Sequence, residues 1–175
     1  MIRRKIKLLY FAQASFVGGT LRQLYCLCQK LNQQQFAPTV ICSSAPYVDR
    51  YADTLKQLGI RVIRLTIKGK FDLKQIVKFF KFLRQERFDI LHVHLSEPFD
   101  STPVFLAAKM AGVPVILTSE RLMCDHPNVN KRRYSPYIKK WLCQFVIDQT
   151  IAVSYAVKDC LITRLNISPE VITVI

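Results

Sequence analysis

The chain has 175 residues, with 26 lysines and arginines against 12 aspartates and glutamates, for a formal net charge of +14. Half of the residues are hydrophobic, which excludes a disordered chain, and the length suits one domain of ordinary size. The charge favours an anionic partner: a membrane lipid, a nucleic acid or a phosphorylated substrate. Six cysteines show no framework spacing, which indicates reduced thiols and a cytoplasmic location.

Neither a leader nor a membrane span is predicted. The apolar run after the basic start is too short for a signal peptide. The most apolar later stretch, residues 104–117, is interrupted by Lys109 and Pro114.

The first predicted unit is a strand, a glycine-bearing turn and a helix. Residues 6–12 form an apolar segment of strand length, and Gly18 and Gly19 follow it. Hydrophobic residues then recur at three- and four-residue steps between positions 21 and 31, which is typical of a helix with one buried face. Free N–H groups at the start of such a helix can bind a phosphate, although two glycines can also simply make a tight turn.

Strands and helices alternate through the rest of the chain. Further strands are predicted at 38–43, 61–67, 89–94, 113–118, 149–153 and 171–175. Helices are predicted at 47–58, from Asp72 to about Arg87, up to Ala111, at 134–145 and at 156–165, with a long loop at 119–133. In the helix after Asp72, five residues are predicted to face inward: Leu73, Ile76, Val77, Phe80 and Leu83. This alternation predicts a single α/β domain with a Rossmann-like, doubly wound, mostly parallel sheet.

The expected ligand site follows from this fold, because doubly wound sheets bind ligands at the carboxyl ends of their strands. Three segments should meet there: Gly18-Gly19, residues 94–100 and residues 119–121. His94 could contact a hydroxyl or a phosphate and titrate near neutrality, or it could be satisfied by backbone groups. It shares a strand face with His92.

Three charged residues complete the predicted site. Glu97 could accept hydrogen bonds from sugar hydroxyls, or it could simply cap the next helix. Glu120 and Arg121 could act on a hydroxyl and a phosphate, or they could form a surface ion pair.

A basic segment with interleaved phenylalanines runs from position 68 to 88. Its cations are typical of a helix that lies on an anionic bilayer, or of an ordinary solvated helix face. The residues predicted to contact the membrane are Lys70, Lys74, Lys78, Lys81 and Arg84. A second basic cluster lies at 131–133 and 139–140.

Several chemistries are disfavoured. The chain has no G-x-G-x-x-G motif for a nicotinamide cofactor and no P-loop for a nucleoside triphosphate. Cys124, Asp125 and His126 are too small a cluster for zinc, so no metal is expected. A nucleic-acid partner would rest on charge alone, since no nucleic-acid motif is present, and none is expected.

Taken together, these segments resemble the N-terminal domain of a GT-B-fold glycosyltransferase of the family 4 type. The resemblance rests on Gly18-Gly19 before the first helix, LGIRVIRL at 58–65, FDILHVHLSEP at 88–98 and AGVPVILTSER at 111–121. The closing stretch 154–175 is also similar, so the likeness covers essentially the whole chain. Two positions differ: Leu21 stands where the family often has Glu, and Ser119-Glu120-Arg121 stands where many members carry His.

The resemblance implies a retaining transfer from a nucleotide-sugar, with no metal required. It places Gly18 and Gly19 beside the donor diphosphate and assigns the acceptor to this domain. The family's donor-binding domain carries an E-x7-E motif, and the four glutamates of this chain contain no such pair. We therefore expect residues 1–175 to be the acceptor-side domain, with the C-terminal donor-binding domain absent and no activity of the chain alone.

The function expected from the sequence is thus the acceptor-side half of a glycosyltransferase, cytoplasmic and peripheral on the membrane. It would act on a lipid-linked or cell-envelope saccharide. His94 and Glu120 are the candidate catalytic residues, and Glu97 and Arg121 the candidate acceptor-binding residues. The alternative is a non-enzymatic binding module that docks to a separate donor-binding subunit.

Overall fold

A computed structural model describes residues 4–13, 18–67, 72–94, 101–121, 141–142 and 145–175. Its strands are β1 Ile6–Ala12, β2 Phe36–Cys42, β3 Arg61–Arg64, β4 Ile90–His94, β5 Val115–Glu120, β6 Gln149–Ala152 and β7 Ile172–Val174. The α-helices within the described residues are α1 Gly19–Lys30, α2 Asp49–Gln57, α3 Leu73–Glu86, α4 Thr102–Ala111 and α5 Tyr155–Leu165. Short 3-10 turns occupy Pro46–Val48 and Pro169–Val171.

All seven strands form one parallel sheet in the order β3-β2-β1-β4-β5-β6-β7. This confirms the predicted α/β fold with a doubly wound sheet, in which β3 lies at one edge. The strand order reverses between β1 and β4, and the helices that follow them, α1 and α4, pack on opposite faces of the sheet. In doubly wound sheets such a reversal opens a crevice at the carboxyl edge.

Helices cover both faces of the sheet. On one face, α1 and α2 pack against alternate residues of β1 and β2, with Leu24 and Leu55 fully buried. On the other face, α3, α4 and α5 cover the remaining residues, with Phe79, Phe105 and Leu161 at the centre. Burying an apolar side chain of this size stabilises the fold by about 1.5–3 kcal/mol each.

Helix ends follow the expected chemistry in most places. The Ser154 hydroxyl caps α5 by accepting a hydrogen bond from the Val157 N–H, at 3.2 Å. Gly112 ends α4 with φ of +79°, a left-handed conformation that glycine adopts without steric cost. Asn166 ends α5 in the same way, whereas α3 uses Arg87.

The fifth strand is longer at its carboxyl end than predicted. It runs to Glu120 rather than Thr118, because residues Leu117 to Glu120 pair with β6. Ser119 and Glu120 therefore belong to the strand, and Arg121 is the first residue after it. A strand with a neighbour on each side is extended by pairing that no local sequence pattern reveals.

The third strand is shorter than predicted, ending at Arg64 rather than Ile67. Beyond that point the Gln13 side-chain amide takes the place of a neighbouring strand. It donates to the Ile67 carbonyl at 2.7 Å and accepts from the Ile67 N–H at 3.2 Å. The residue that follows β1 is thereby tied to the segment after β3.

The inward face of α3 was predicted partly wrongly. Leu73 is 68% exposed and Val77 is 49% exposed, whereas Phe79 is fully buried. The helix is rotated so that Phe79 and Leu83 reach the sheet, with Ile76 and Phe80 partly buried beside them. Phe79 packs on Phe11 of β1, with ring centroids 5.5 Å apart, and this contact fixes the rotation.

Two further points concern the remaining helices. Trp141, Leu142 and Phe145 are helical, and the rest of the helix predicted at 134–145 lies outside the described residues. None of the helices described is both long enough and apolar enough to cross a membrane.

Candidate functional site

The predicted site residues that the structure describes lie at the carboxyl edge of the sheet, around the reversal of strand order. Gly18 and Gly19 follow β1, His94 ends β4, and Glu120 ends β5. These three strands are neighbours, with Ala12 paired to His94 and His94 paired to Ser119. The glycine turn, the histidine and the glutamate therefore lie at the same end of the sheet, as predicted.

The start of α1 has the features of an anion-binding turn. Gly18 is the extended N-cap residue, no side chain caps the helix, and its first turn carries no acidic residue. A Cβ built on Gly19 would meet nothing within 4 Å, and the φ of Gly19 is not in the left-handed range. Neither packing nor backbone conformation therefore requires glycine at position 19.

A cleft of about 540 Å³ opens beside this turn, between α1 and α2. It is lined by Gly18, Gly19, Arg22, Tyr25, Tyr51 and Thr54. The last four residues were missed by the sequence analysis. Arg22 and Tyr25 are about one helical turn apart on α1, and Tyr51 and Thr54 are equally spaced on α2. This spacing predicts that the two residues of each pair lie on the same side of their helix. The packing of α1 against α2 is what brings the two pairs together, and the sequence does not reveal it.

A buried polar cluster lies below the crevice on the α1 face of the sheet. His92 and His94 share this face, as predicted, with ring centroids 4.2 Å apart. The Tyr10 ring of β1 packs 5.5 Å from His92 and 5.4 Å from His94. On the other side, His92 Nε2 lies 2.8 Å from the Ser119 hydroxyl of β5.

Both imidazoles are held neutral. Burial, reinforced by the Arg121 guanidinium, lowers the pKa of His92 to about 4. Burial also holds the pKa of His94 well below its usual range, with further contributions from His92 and Arg121. The sequence-based expectation that His94 titrates near neutrality is therefore wrong, because the strand end where it lies is enclosed.

Arg121 links this cluster to the first helix. Its Nε donates to Gln23 Oε1 of α1 at 2.8 Å, and its Nη2 lies 2.6 Å from His94 Nδ1. Burial lowers the pKa of Arg121, and the nearby Glu120 carboxylate opposes that shift. Gln23 was not singled out from the sequence, since nothing local relates it to a residue 98 positions away.

Glu120 lies on the other face of the sheet from His94. Its Oε1 accepts a hydrogen bond from the Thr118 hydroxyl at 2.9 Å, and the side chain is 1% exposed. Thr118 pairs with Val93, a residue of the core beneath α3 and α4, whereas Ser119 pairs with His94. Glu120 and His94 can therefore approach a common ligand only at the edge itself, above the strand ends.

Comparison with known proteins decides the family. The model of glycosyltransferase family 4 matches residues 17–175. The chain belongs to glycosyltransferase family 4.

One curated protein and two solved structures are similar to the chain. The chain is 27% identical over 177 residues to a UDP-Gal:alpha-D-GlcNAc-diphosphoundecaprenol alpha-1,3-galactosyltransferase of Escherichia coli, covering 98% of the chain and 44% of that protein. Among solved structures it resembles a glycosyltransferase from Rickettsia africae, with 21% identity and a TM-score of 0.74, covering 99% of the chain and 43% of the other. It also resembles Anabaena HepE in complex with UDP, with 15% identity and a TM-score of 0.71, covering 97% and 43%.

The family 4 chain thus spans less than half the length of these relatives. The two structural likenesses establish the fold, which is that of GT-B glycosyltransferases. The resemblance drawn from the sequence segments is confirmed by the family match.

Some predicted residues of this family 4 domain lie elsewhere or outside the described part. Glu97 and Lys70 are outside it, as are Cys124, Asp125 and His126. Lys74, Lys78, Lys81 and Arg84 are exposed on α3, away from the buried cluster. Within the described ranges, no three His, Cys, Asp or Glu side chains are grouped so that they could hold a metal ion.

Proposed function

We propose that the chain forms the acceptor-side half of a retaining glycosyltransferase that moves a sugar from a nucleotide-sugar to a lipid-linked or cell-envelope saccharide. The support is its membership of glycosyltransferase family 4, together with a glycine turn, a neutral histidine and an arginine gathered at one crevice. The E. coli relative is named for transfer to a sugar diphosphate carried on undecaprenol, which supports a lipid-linked acceptor for this chain.

The observation that carries the proposal is the glycine at position 19. A residue whose Cβ would meet nothing, in a conformation open to any amino acid, has no structural reason to be glycine. A ligand that approaches the backbone closely supplies such a reason. The first N–H groups of α1 have no intrahelical partners and attract negative charge, so a diphosphate fits this position.

The proposed chemistry needs little covalent participation by this domain. The diphosphate leaving group gains charge as the glycosidic bond to it breaks, and fixed N–H donors at Gly18 and Gly19 would stabilise that charge. His94 lies at the same end of the sheet as this turn, Arg121 contacts both His94 and Gln23 of α1, and Glu97 follows β4 in the sequence. We assign Glu97 and Arg121 to the acceptor, with Glu120 at the end of β5 beside the reacting hydroxyl, and no metal to the reaction.

A chimera tests the proposal directly. The chain would be joined to the part of the E. coli galactosyltransferase that it does not match, and assayed with UDP-galactose and a short-chain GlcNAc-diphospholipid. We expect transfer by the chimera and none by the 175-residue chain alone, since the nucleotide-sugar requires a donor-binding domain. Turnover of UDP-galactose by the chain alone, or an inactive but folded chimera, would contradict the proposal.

Gly19→Ala in the chimera is expected to lower transfer roughly tenfold or more, since the added methyl group would stand between the diphosphate and the N–H donors. The free energy of unfolding should not fall, because alanine favours the helix by up to about 1 kcal/mol over glycine. Initial rates and denaturant unfolding measure the two effects.

The matched control is Gly112→Ala. Its Cβ would also meet nothing within 4 Å, but the φ of +79° makes alanine strained there. It should cost about 1 kcal/mol of unfolding free energy and leave the transfer rate unchanged. Equal rates for Gly19→Ala and the parent chimera would argue against a close diphosphate.

The alternative function is a binding module that docks to a separately encoded donor-binding subunit. Co-purification of a second protein from the native cells, with transfer restored on mixing the two, would favour this alternative over a single-chain enzyme.

We also propose that α3 rests on an anionic membrane surface, which suits a lipid-linked acceptor. Lys74, Lys78, Lys81 and Arg84 are exposed and form no ion pair with any residue in the described segments. Leu73 and Val77 are exposed on the same helix, so apolar and cationic groups face outward together.

The double variant Lys74→Gln/Lys78→Gln is expected to reduce sedimentation with phosphatidylglycerol vesicles about thirtyfold, at roughly 1 kcal/mol for each lysine near the surface. The matched control is Lys30→Gln/Lys109→Gln, which removes the same charge from exposed positions on α1 and α4. If both variants bind equally, or if the parent chain binds neutral vesicles as well as anionic ones, α3 is not the contact surface.

A further inference from the structure

His94 carries its proton on Nε2, and the reason is its contact with Arg121. The guanidinium Nη2 lies 2.6 Å from His94 Nδ1. A guanidinium can only donate hydrogen bonds, so Nδ1 must accept one and cannot hold a proton. In the neutral ring the proton is then on Nε2.

The Nε2–H group of His94 has no hydrogen-bond partner among the described residues, although the atom is buried and the side chain is 3% exposed. A buried donor left unpaired costs about 1–3 kcal/mol, and such donors are rare in folded proteins. The neighbouring His92 contrasts with it, because His92 Nε2 is paired with the Ser119 hydroxyl.

The position of the His94 Nε2–H group indicates that a bound ligand could accept its hydrogen bond. His94 is the last residue of β4, and β4 is one of the two strands between which the strand order reverses. Ligands of doubly wound sheets bind outside the strand ends at this reversal. The glycine turn that follows β1 begins α1 on the other side of the same crevice.

Two consecutive hydrogen bonds connect the His94 ring to the first helix and hold the ring in place. Gln23 of α1 accepts from Arg121 Nε at 2.8 Å, and Arg121 contacts His94. The ring is further held between His92 at 4.2 Å and Tyr10 at 5.4 Å. The orientation and the proton position of His94 are therefore both set before any ligand arrives.

We propose that His94 is a fixed hydrogen-bond donor that gives its Nε2 hydrogen to an oxygen of the bound substrate, and that Gln23 and Arg121 are positioning residues that hold it so. It does not gain or lose a proton during the reaction. The oxygen belongs to a diphosphate or to a sugar hydroxyl, and both groups occur in the nucleotide-sugar and in the lipid-linked acceptor. The identity of the substrate rests on the proposed function, whereas the tautomer of His94 does not.

The groups that face His94 are consistent with a ring that stays neutral. Among the described residues, they are His92 on its own strand, Tyr10 from β1 and Arg121 after β5. Burial raises the pKa of Tyr10 to about 12, so this hydroxyl stays protonated and uncharged, and Arg121 is a cation that opposes a second positive charge. Glu120 lies on the opposite face of β5.

The tautomer can be read by nuclear magnetic resonance on the 175-residue chain labelled with ¹⁵N at histidine. We expect the His94 signals to show a neutral ring with the proton on Nε2 throughout pH 5.5–8. His92→Gln and His94→Gln variants assign the three histidines of the chain. A His94 pKa near 6.5, or a proton on Nδ1, would overturn the proposal without the need for any further variant.

Gln23→Leu tests the positioning role. We expect a mixture of His94 tautomers in this variant, because the guanidinium loses the contact that holds it against Nδ1. Gln29→Leu is the matched control, since Gln29 is an exposed glutamine of the same helix. Unchanged His94 signals in Gln23→Leu would exclude Gln23 as a positioning residue.

Ligand titrations distinguish the two sources of the oxygen. UDP and a short-chain GlcNAc-diphospholipid are added separately, and the His94 Nε2–H signal is followed. A shift with UDP identifies a donor oxygen, and a shift with the diphospholipid identifies an acceptor oxygen. No shift with either at millimolar concentration would overturn the binding role.

In the chimera, His94→Gln should retain transfer within about threefold, because the glutamine amide can replace the Nε2–H donor. His94→Leu should lose about tenfold to a hundredfold, as expected for one hydrogen bond to a charged or polar oxygen. Equal loss in both variants would contradict a donor role. An inactive chimera would bear on the proposed function, whereas the resonance experiment would still decide the tautomer.

Discussion

The free energy of unfolding is expected to fall steeply as the pH drops from 6.5 towards 5, because two buried histidines remain neutral in the folded chain. The pKa of His92 is lowered from an ordinary 6.5 to about 4, and that of His94 is also well below its usual range. In this window the unfolded chain binds protons that the folded chain does not, so stability is fully present above pH 6.5 and is lost on acidification. Each histidine contributes a slope of about 1.4 kcal/mol per pH unit.

The measurement is urea unfolding at intervals between pH 7.5 and 5. His92→Gln removes one of the two titrating groups, so its slope should be smaller by about one proton than that of the parent chain. The amide can still meet the Ser119 hydroxyl that His92 contacts at 2.8 Å. A parent chain equally stable at pH 7 and pH 5.5, or a variant with the parent slope, would refute the assignment of buried neutral histidines.

Phe79→Ala is expected to lower the free energy of unfolding by about 3–5 kcal/mol. The Phe79 side chain is fully buried between α3 and the sheet, and its ring lies 5.5 Å from that of Phe11. Its removal takes away both the apolar contacts and part of an aromatic pair, and the surrounding helices can collapse into the space only partly. A loss of this size approaches the whole stability of many single domains.

Val77→Ala is the matched control on the same helix, two residues before Phe79. Because Val77 is 49% exposed, its truncation should change the free energy of unfolding by less than about 0.5 kcal/mol. The sequence pattern placed Val77 inside and did not include Phe79. A larger loss in Val77→Ala than in Phe79→Ala would show that the observed rotation of α3 is incorrect.

The strand and helix pattern was predictable because it depends on neighbouring residues. The apolar segment at 6–12 and the three- and four-residue steps after Gly19 gave β1 and α1 correctly. The pairing of His92 and His94 on one face follows from strand alternation alone. The misplaced end of β5 has a different cause, since residues 119 and 120 are strand only through pairing with β6, about 30 residues further along the chain.

The site was predicted in outline and not in its contacts. Parallel strands bring their carboxyl ends to one edge, so Gly18, His94 and Glu120 could be gathered from the sequence. The partners of these residues could not be deduced. Arg121 was considered as an ion-pair partner of its neighbour Glu120, whereas in the structure it reaches His94 and Gln23 on the other side of the sheet.

By itself, the sequence determined the parallel α/β architecture and the edge of the sheet at which Gly18, His94 and Glu120 lie. It did so because side-chain period and helix-ending residues act over a few positions. Only the tertiary structure decided the proton position on His94, its neutrality and its link to α1. Those properties arise from burial and from hydrogen bonds between residues 27 and 98 positions apart, which exist only once β1, β4 and β5 lie side by side.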